Sequence, residues 1–576
     1  MLRVSALLTL AASTSATLAS VRDAERAAVR RDAATLAPPH VIAAAPVRPA
    51  ARFREIVAAG RLAVGATVDP LYGSLSGITG GGVSQYLGVP FAAPPVGDLR
   101  WRAPRPPAPW GARNATWFGP TCPQTEADTW ALFTGTSEDC LNLNVYAPSK
   151  APPPGGFPVM LFWYGGSFTY GSAGFPLYDG FFDVSLLNDT IIVTSNYRLG
   201  VLGFMAGDAL RAESADGSVG TYGTADQRAA LEFIRATAAA FGGDAARVTI
   251  FGQSAGAASV ATHLVSPRSR GLFSRAIIES GAFSAWTAQP YNISSTRLAQ
   301  FAKNVGCGAA DLACMRAVNA SEVLRADRGL TSAFLEWSPT IDGVEVLDDP
   351  RVLLAAGKAA DVPVMLGFNA DEGTMFAKGA KDLNASGYVA AIAEFLPLAQ
   401  AEIVALEYPC SDFKDDLGQS ACWWGVAQIM RDSMFGCPVQ TTAATLAAAP
   451  RASAAKTFAY FYTPTLFIVD IVDVFKPYRC FHGSELPSVF DLWPALIGFG
   501  EAAMGEWFAR AWTTFAATGD PNSPGAPTWL PFGATNSSAV IAIDAGAFKQ
   551  TNNASLIRDK CAFWAANPVA ESVIWG

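Results

Sequence analysis

Gly252-Gln-Ser-Ala-Gly256 stands at the junction between two different kinds of sequence. The residues before it, Arg247-Val-Thr-Ile-Phe251, are rich in β-branched and aromatic side chains, which is typical of a buried strand. The residues after it, up to Leu264, are small and compatible with a helix. A serine between glycines on a sharp strand-to-helix turn is a nucleophile elbow, which holds the hydroxyl clear of the sheet. We therefore predict that Ser254 is a nucleophile and that the amide of Ala255 points to where an oxyanion would form.

Strand-like and helix-like segments alternate along the rest of the chain. Apolar runs predict strands at 83–91, 141–146, 158–164, 191–197, 248–251, 275–279, 362–368 and 457–462. Apolar residues at helical spacing predict helices at 224–240 and 295–305. Apolar strands separated by helices indicate an α/β protein with a mostly parallel central sheet covered by helices on both faces.

A serine nucleophile needs a general base, and the chain has 3 histidines. His40 falls in a segment rich in Ala, Arg and Pro that we interpret as a linker. His263 follows Ser254 on the same predicted helix, about 13 Å along its axis and half a turn away, so we expect a structural role for it. His482, in a turn-like segment after a strand, is the predicted base.

The base in turn needs a carboxylate that fixes its tautomer and stabilises the imidazolium. The predicted strand at 362–368 ends in Asn369-Ala-Asp-Glu-Gly373, and a carboxylate that leaves the carboxyl end of a parallel strand is well placed for a site. Physical reasoning does not choose between Asp371 and Glu372. Three other carboxylates lie among ordinary turn residues and are weaker candidates: Asp342, Asp348 and Asp349.

A second glycine-rich segment supplies candidate oxyanion donors. Phe162-Trp-Tyr-Gly-Gly-Ser-Phe168 contains two glycines and a serine at the end of a predicted strand. The backbone amides of Gly166 and Ser167 could join that of Ala255 in binding an oxyanion. A simple glycine turn explains this loop alone, but not its coincidence with the elbow.

Composition and charge exclude several classes of partner and cofactor. The chain has 576 residues, of which 51% are hydrophobic and 16% charged, so it can form a large core. The formal net charge is −8 and no basic run occurs outside the N-terminus, so we expect no nucleic-acid partner. No H-x-x-H or C-x-x-C pattern occurs, and we expect neither a metal nor an organic cofactor.

The N-terminus predicts secretion. Residues 1–20 have one positive charge, a short apolar run and then small residues, as in a signal peptide. The Arg-containing segment at 21–54 keeps an organellar presequence open as the alternative. We interpret residues 21–60 as a propeptide or flexible linker and residues 61–576 as a single catalytic domain without a stable membrane anchor. The 9 cysteines and several N-x-S/T sites agree with an extracellular protein.

Many sequence blocks, in order, resemble the type-B carboxylesterase/lipase family, which includes the cholinesterases and has the α/β-hydrolase fold. They begin near residue 73 and continue to the C-terminal region. The blocks with the most specific match lie at 138–146, 164–166, 196–200, 226–228, 241–244, 252–256, 279–281, 371–373, 482–483 and 518–522. The resemblance implies a serine ester hydrolase.

The resemblance also implies roles for individual residues. The catalytic triad matches Ser254, Glu372 and His482. The oxyanion donors match Gly166, Ser167 and Ala255. The implied disulfides are Cys122–Cys140, Cys307–Cys314 and, more loosely, Cys437–Cys561. A further bond between Cys410 and Cys422 would leave Cys480 free.

A few positions depart from the family pattern. Ser167 replaces the third glycine of the oxyanion loop, which a backbone donor tolerates if the local φ suits a side chain. Gln253 replaces the usual glutamate before the nucleophile, and Met375 stands where cholinesterases have an aromatic residue that faces choline. Trp130 does have the spacing of the choline-binding tryptophan. Taken together, these positions do not favour choline esters as substrates.

The expected activity is hydrolysis of small, short- to medium-chain esters. Only 17 residues separate Cys122 from Cys140, in the region that forms the lid of the family's lipases, which favours dissolved esters over emulsified triglyceride. The candidate pocket residues are Trp130, Phe168, Trp286 and Phe376, and ordinary core packing explains each of them equally well. Two alternatives stay open, a triacylglycerol lipase and a non-catalytic binding relative. The sequence does not set the oligomeric state.

Overall fold

The structure is a computed structural model, and it describes most of the chain between residues 63 and 574. The residues outside this description are 1–62, 132–133, 329, 331–334, 378–380, 451–454, 466–477, 493–498, 534–539, 545–546, 552–557, 570–573 and 575–576. The predicted signal peptide at 1–20 and the predicted linker at 21–60, with His40, therefore lie outside the described residues.

One 13-stranded sheet runs through the described part of the chain. Its strands are β1 (Ala63–Val68), β2 (Gly73–Gly80), β3 (Val83–Pro90), β4 (Gly111–Asn114), β5 (Asn142–Pro148), β6 (Phe157–Trp163), β7 (Ile191–Ser195), β8 (Gly243–Gln253), β9 (Arg275–Glu279), β10 (Val364–Asn369), β11 (Thr457–Tyr462), β12 (Val540–Asp544) and β13 (Ala547–Thr551). The order across the sheet is β1-β2-β3-β5-β7-β6-β8-β9-β10-β11-β12-β13, and β4 pairs with β2.

The centre of the sheet is parallel, and its two ends are antiparallel except for the short parallel pair of β4 with β2. The pairs from β7 through β6, β8, β9, β10 and β11 to β12 are all parallel. The strands β1, β2, β3, β5 and β7 pair antiparallel, as do β12 and β13. The expected mostly parallel sheet is confirmed. Each predicted strand overlaps an observed one, and the largest difference is in β8, which starts earlier because Gly243 already pairs with Phe157 of β6.

Helices fill the connections between the strands. They are α1 (Ala127–Trp130), α2 (Phe181–Leu187), α3 (Gly200–Phe204), α4 (Asp208–Glu213), α5 (Tyr222–Thr237), α6 (Ala255–Val265), α7 (Tyr291–Asn304), α8 (Leu312–Ala317), α9 (Ala320–Asp327), α10 (Pro350–Ala355), α11 (Ala385–Ala393), α12 (Leu398–Glu407), α13 (Ala421–Arg431), α14 (Cys437–Ala448), α15 (Leu486–Val489), α16 (Phe499–Thr518) and α17 (Arg558–Ala566). The helices predicted at 224–240 and 295–305 correspond to α5 and α7.

Both faces of the sheet are covered, as β6 shows. Successive residues of a strand point to opposite faces. The ring of Trp163 packs on His263 of α6, with the ring centroids 4.7 Å apart. The ring of the preceding residue, Phe162, packs instead on Tyr178 and Phe490, at 4.9 and 5.0 Å. Because side chains from other elements meet both faces, all seven residues of β6 are buried.

A buried ion pair joins two of the sequence blocks that carry the family resemblance. Arg198, after β7, binds Asp226 on α5 through Nε and Nη2, each 2.8 Å from a carboxylate oxygen. The backbone amide of Arg198 donates to the same carboxylate at 3.0 Å. Burial raises the pKa of Asp226 in spite of this partner. These blocks therefore belong to the framework that holds α5 against the sheet.

Four disulfide bonds are present among the described residues. They join Cys122 to Cys140, Cys307 to Cys314, Cys410 to Cys422, and Cys437 to Cys561. Cys480 is free and buried. Three of these pairs are those that the family resemblance implies, and the fourth, Cys410–Cys422, is the bond that the sequence left unassigned. The last bond connects α14 to α17, and its two cysteines have a sequence separation of 124.

No helix in the described part of the chain is long and apolar enough to cross a bilayer.

Candidate active site

Ser254 lies on the turn between β8 and α6, and its backbone is strained. Its φ is 58° and its ψ is −122°, which a residue with a side chain adopts only at an energetic cost. Glycines make this turn possible. A Cβ on Gly252 would lie 2.6 Å from the carbonyl oxygen of Gly256, and a Cβ on Gly256 would overlap the carbonyl oxygen of Trp163. The segment has the strand, sharp turn and helix of a nucleophile elbow.

The elbow leaves the serine side chain accessible. The amide of Ser254 donates to the carbonyl oxygen of Glu279 on the neighbouring strand β9 at 2.9 Å, which fixes the turn to the sheet. Ser254 is half-buried, whereas Gln253 and Ala255 on either side are buried. Because α6 begins at Ala255, the amide of that residue has no acceptor within the helix. It is available to a developing oxyanion.

His482 and Glu372 form a short hydrogen bond. Nδ1 of His482 lies 2.5 Å from Oε2 of Glu372. Glu372 is fully buried, and its other oxygen, Oε1, accepts from the backbone amide of Asn369 at 2.7 Å. Because a carboxylate only accepts, the ring proton lies on Nδ1 and Nε2 keeps its lone pair. This is the tautomer that a general base needs.

The lone pair of His482 faces the residue before the nucleophile. The side-chain nitrogen of Gln253 lies 3.2 Å from Nε2 of His482. Among the described residues, the hydroxyl of Ser254 makes no hydrogen bond. The structure therefore brings His482 to the elbow, with its Nε2 paired to Gln253.

The structure distinguishes the carboxylates that the sequence left open. The carboxylate of Asp371 accepts instead from the backbone amide of Cys480 at 3.3 Å. Burial raises the pKa of Asp371. Asp342, Asp348 and Asp349 all accept hydrogen bonds from nearby backbone amides in turns or at the start of α10. The carboxylate that contacts His482 is that of Glu372.

His263 has the structural role that its position on the helix predicts. It is fully buried in α6, with Nδ1 2.7 Å from the hydroxyl of Ser269 and Nε2 3.2 Å from Oε1 of Gln227. Burial lowers the pKa of His263 to about 3, so its ring stays neutral. Its ring nitrogens are both used inside the core.

The glycine-rich loop packs directly on the elbow. A Cβ on Gly165 would lie 2.7 Å from Cβ of Ser254. The φ of Gly166 is 110°, and a Cβ there would overlap the carbonyl oxygen of Tyr170. Ser167 has a φ of 53°, in the left-handed region that a non-glycine residue can occupy at some cost. No described residue accepts a hydrogen bond from the amides of Gly166 and Ser167, so both resemble the free amide of Ala255.

Two of the four candidate pocket residues belong to an aromatic cluster beside the base. The ring of Phe376 lies 5.1 Å from the ring of His482. Phe435, which the sequence analysis did not select, lies 4.6 Å from His482 and stacks on Phe376 at 5.5 Å. Trp286 packs edge-on against Phe435 at 6.1 Å, and its indole N–H donates to the carbonyl of Met434. Phe435 lies on the π-helical turn Asp432–Gly436, a local irregularity that sequence patterns do not reveal.

The other two candidate pocket residues pack elsewhere. Trp130 is half-buried and packs on Tyr170 and Phe175, at centroid distances of 5.6 and 4.5 Å. Phe168 is fully buried against Phe204 at 5.3 Å. Neither ring stacks on His482. Core packing accounts for Phe168.

Two further buried carboxyl groups lie behind the site, and the sequence analysis missed both roles. Glu485 bonds the side-chain amide of Asn369, while burial, and next the charge of Glu372, raises its pKa well above the usual range. Burial also raises the pKa of Glu279 to about 8, and its Oε1 accepts from the indole N–H of Trp512 at 2.6 Å. Burial therefore favours the neutral form of both groups relative to an exposed carboxyl.

Comparison with known proteins identifies the family. The profile described as "Carboxylesterase family" matches residues 64–564, which is most of the chain. The chain belongs to the carboxylesterase family. It is a carboxylic ester hydrolase with the α/β-hydrolase fold, and small-molecule esters are the substrates that the family implies.

Similar proteins match this carboxylesterase along most of their length. Para-nitrobenzyl esterase of Bacillus subtilis (strain 168) is 33% identical over 477 residues, which cover 79% of this chain and 90% of that protein. "Crystal protein" of Dictyostelium discoideum is 31% identical over 478 residues, which cover 79% of this chain and 83% of that one. A solved structure of PNB esterase has a TM-score of 0.72 and 30% identity, and the match covers 86% of this chain and 99% of that chain.

Proposed function

We propose that the protein is a secreted serine carboxylesterase that hydrolyses short- to medium-chain esters through an acyl-enzyme on Ser254. The observation that carries this proposal is the bond between Glu372 and Nδ1 of His482, with the opposite nitrogen of the ring facing the strained elbow. A nucleophile, a base and an orienting carboxylate are the groups that two-step acyl transfer needs.

The proposed reaction has two similar halves. The Oγ of Ser254 attacks the carbonyl carbon, its proton passes to Nε2 of His482, and the carbonyl oxygen becomes an oxyanion. The intermediate then collapses, the bond to the alcohol oxygen breaks, and that oxygen takes the proton from His482. Water repeats the sequence on the acyl-enzyme and releases the carboxylic acid and Ser254.

The free backbone amides support stabilisation of the oxyanion. Those of Gly166 and Ser167 come from the loop that packs on the elbow, and that of Ala255 comes from the N-terminus of α6. Backbone donors need no reorganisation when charge develops, and loss of one such donor typically slows acyl transfer about 10²–10³-fold. Ser167 can fill its position because the donor is its amide and not its side chain.

The aromatic cluster supports the proposed substrate class. This cluster lies on one side of His482 and limits the space for an acyl chain. Its rings are those of Phe376, Phe435 and Trp286. Gln253 places a neutral amide where a carboxylate would favour a cationic alcohol. Both features favour uncharged esters with modest acyl groups.

The proposal of secretion rests on separate observations. Four disulfides in the described residues are typical of a protein that matures in an oxidising compartment. The apolar run within residues 1–20 has the character of a signal peptide. N-terminal sequencing of protein from the culture medium tests this proposal, and a mature chain that still starts at Met1 would contradict it.

The activity is tested with p-nitrophenyl esters of increasing acyl length. We expect the highest kcat/KM on short chains, and we expect Ser254→Ala to lower kcat by about 10⁶ while the protein stays folded. Ser411→Ala, on an exposed surface and outside every N-x-S/T site, is the matched control and should retain full activity. A rate that jumps above the solubility limit of long-chain esters would indicate a lipase. Equal inactivity of the wild type and Ser254→Ala on every ester would reject the proposal and favour a binding role.

A further inference from the structure

Gln253 is buried between the three loops of the candidate site. Only 5% of it is exposed. On one side, a Cβ on Gly165 of the oxyanion loop would lie 3.0 Å from its Oε1. On the other side, a Cβ on Gly483 would lie 3.6 Å from its Nε2. Backbone on both sides therefore confines the amide, which lies against the ring of His482.

The direction of the hydrogen bond between Gln253 and His482 follows from the other side of the ring. Nδ1 of His482 donates to Glu372, so Nε2 presents a lone pair and accepts from the amide nitrogen of Gln253 at 3.2 Å. A hydrogen bond to the neutral form of a base favours that form over the protonated one. We propose that Gln253 is a positioning residue that keeps His482 oriented and ready to accept a proton until the hydroxyl of Ser254 replaces it.

The inference rests on the proposed function, because it concerns the resting state of the same reaction. Nε2 has a single lone pair, so it cannot accept from Gln253 and Ser254 at the same time. When the serine proton moves to Nε2, the nitrogen becomes a donor and the amide nitrogen of Gln253 loses its acceptor. The bond therefore exists in the resting enzyme and ends when the base is used.

A glutamate at position 253 would act in the opposite sense. Its carboxylate cannot donate to the lone pair of His482, but it accepts from the protonated ring and favours the charged form. Substitution of Gln253 leaves the other groups around the ring unchanged. Of these groups, Glu372 bonds the ring, and the rings of Phe376 and Phe435 lie beside it. The other titratable groups on the neighbouring segments bond elsewhere: Asp371 to the amide of Cys480, Glu485 to the side chain of Asn369, and the thiol of Cys480 to Ser484.

The test is the pH profile of kcat/KM for p-nitrophenyl acetate in the wild type, Gln253→Met and Gln253→Glu. Methionine fills a similar volume without a donor, so we expect the midpoint of the acid limb to rise by about half to one pH unit. We expect the midpoint to rise further in Gln253→Glu, by about one to two pH units in total, because a charge-assisted bond favours the protonated base. The order of the three midpoints is the result that supports the proposal.

The chain offers a matched control for these variants. Gln227 also lies 3.2 Å from a histidine Nε2, but that histidine is His263 in the core. Gln227→Met should lower thermal stability and leave the acid limb unchanged. If Gln253→Met and Gln253→Glu lower kcat but keep the wild-type midpoint, Gln253 only fills space and the proposal is wrong. If Gln253→Glu does not fold, the midpoint of Gln253→Met alone decides.

The failure of this inference is separate from the failure of the proposed function. Unchanged midpoints in a protein that loses activity in Ser254→Ala would overturn the role of Gln253 alone. Full activity in Ser254→Ala would overturn the serine mechanism and, with it, the role of Gln253.

Discussion

The surroundings of the two described histidines are closely similar and yet serve different purposes. His263 and His482 each have a glutamine side chain 3.2 Å from Nε2. Each also has an aromatic ring close by, Trp163 at 4.7 Å from His263 and Phe435 at 4.6 Å from His482. The decisive difference lies at Nδ1, which faces the hydroxyl of Ser269 in His263 and the carboxylate of Glu372 in His482.

The glutamine atoms that face the two histidines also differ. Gln227 turns its oxygen to His263, while its nitrogen donates to Ser259 at 2.9 Å. Nε2 of His263 is therefore protonated and cannot accept a proton. Gln253 turns its nitrogen to His482, which leaves a lone pair on that ring. The comparison shows that the partner atoms, and not the residue types alone, decide which histidine can act as a base.

The largest expected difference comes from removing each ring in turn. We expect His482→Ala to lower kcat on p-nitrophenyl acetate by about 10⁴–10⁶ with a thermal midpoint near that of the wild type. We expect His263→Ala to keep kcat within a few-fold and to lower the free energy of unfolding by about 1–3 kcal/mol, because Ser269 and Gln227 lose their buried partner. If both variants fold and lose activity equally, the conclusion that only His482 can act as the base is wrong.

The next largest effect separates the carboxylate at the base from a buried carboxyl behind it. Glu372→Gln should lower kcat by about 10³–10⁴, because an amide does not hold the tautomer or stabilise the imidazolium. Glu279→Gln keeps an acceptor for Trp512 and should change kcat by less than tenfold. Steady-state kinetics at pH 7 measure both, and a larger loss in Glu279→Gln would place the essential carboxylate elsewhere.

His263 should make the free energy of unfolding depend on pH in the acidic range. Its pKa is about 3 in the folded chain and near 6.5 in the unfolded chain, so the unfolded state binds more protons between these values. The free energy of unfolding therefore falls as the pH falls through this range, by up to about 1.4 kcal/mol per pH unit from this group. Urea unfolding at several pH values should show a shallower loss in His263→Gln, and an unchanged slope would refute the neutral ring.

Glu279 should have the opposite effect, so that its contribution to the free energy of unfolding falls as the pH rises. Its pKa is about 8 when folded and near 4.5 when unfolded, so the folded state binds more protons between these values. This contribution to stability is present at low pH and is lost as the pH rises towards 8. Glu279→Gln should flatten that loss in the same unfolding series. His263→Gln should leave it in place, which makes the two variants controls for each other.

The smallest expected effect concerns the aromatic neighbour of the base. Phe435→Leu removes one ring contact with His482, and aromatic pairs of this kind contribute about 0.5–1.5 kcal/mol. We expect kcat/KM to change by about two- to tenfold and the preferred acyl chain to become longer, because the smaller side chain leaves more room. An unchanged chain-length profile would exclude Phe435 from the acyl pocket.

Local sequence patterns predicted the parallel strands at the centre of the sheet. They did not predict the features that depend on contacts between residues far apart in the chain. Apolar runs located strands such as β9 and β11 with their observed bounds. The strands β1, β2 and β4 at one end of the sheet were not predicted, because each contains glycine and at most two large apolar side chains. The sequence analysis also did not predict the antiparallel pair β12 and β13.

In the candidate site too, the sequence predicted the features set by neighbouring residues and not those set by distant contacts. The glycines at 252 and 256 predict the turn at Ser254, because close backbone contacts exclude larger residues there. Physics alone could not choose Glu372 over Asp371, because the short 3₁₀ turn Glu372–Met375 determines which side chain faces His482. Gln253 and His482 are 229 positions apart in the sequence, so no local pattern predicts their contact.

The bond between Cys437 and Cys561 closes a covalent ring that contains His482, whereas Ser254 and Glu372 lie outside it. A single proteolytic cut anywhere between the two cysteines therefore leaves His482 covalently attached to the fragment that carries Ser254. A nicked chain would migrate as one species until a reductant is added. If the cut precedes His482, reduction would then remove the covalent link between His482 and the fragment that carries Ser254 and Glu372.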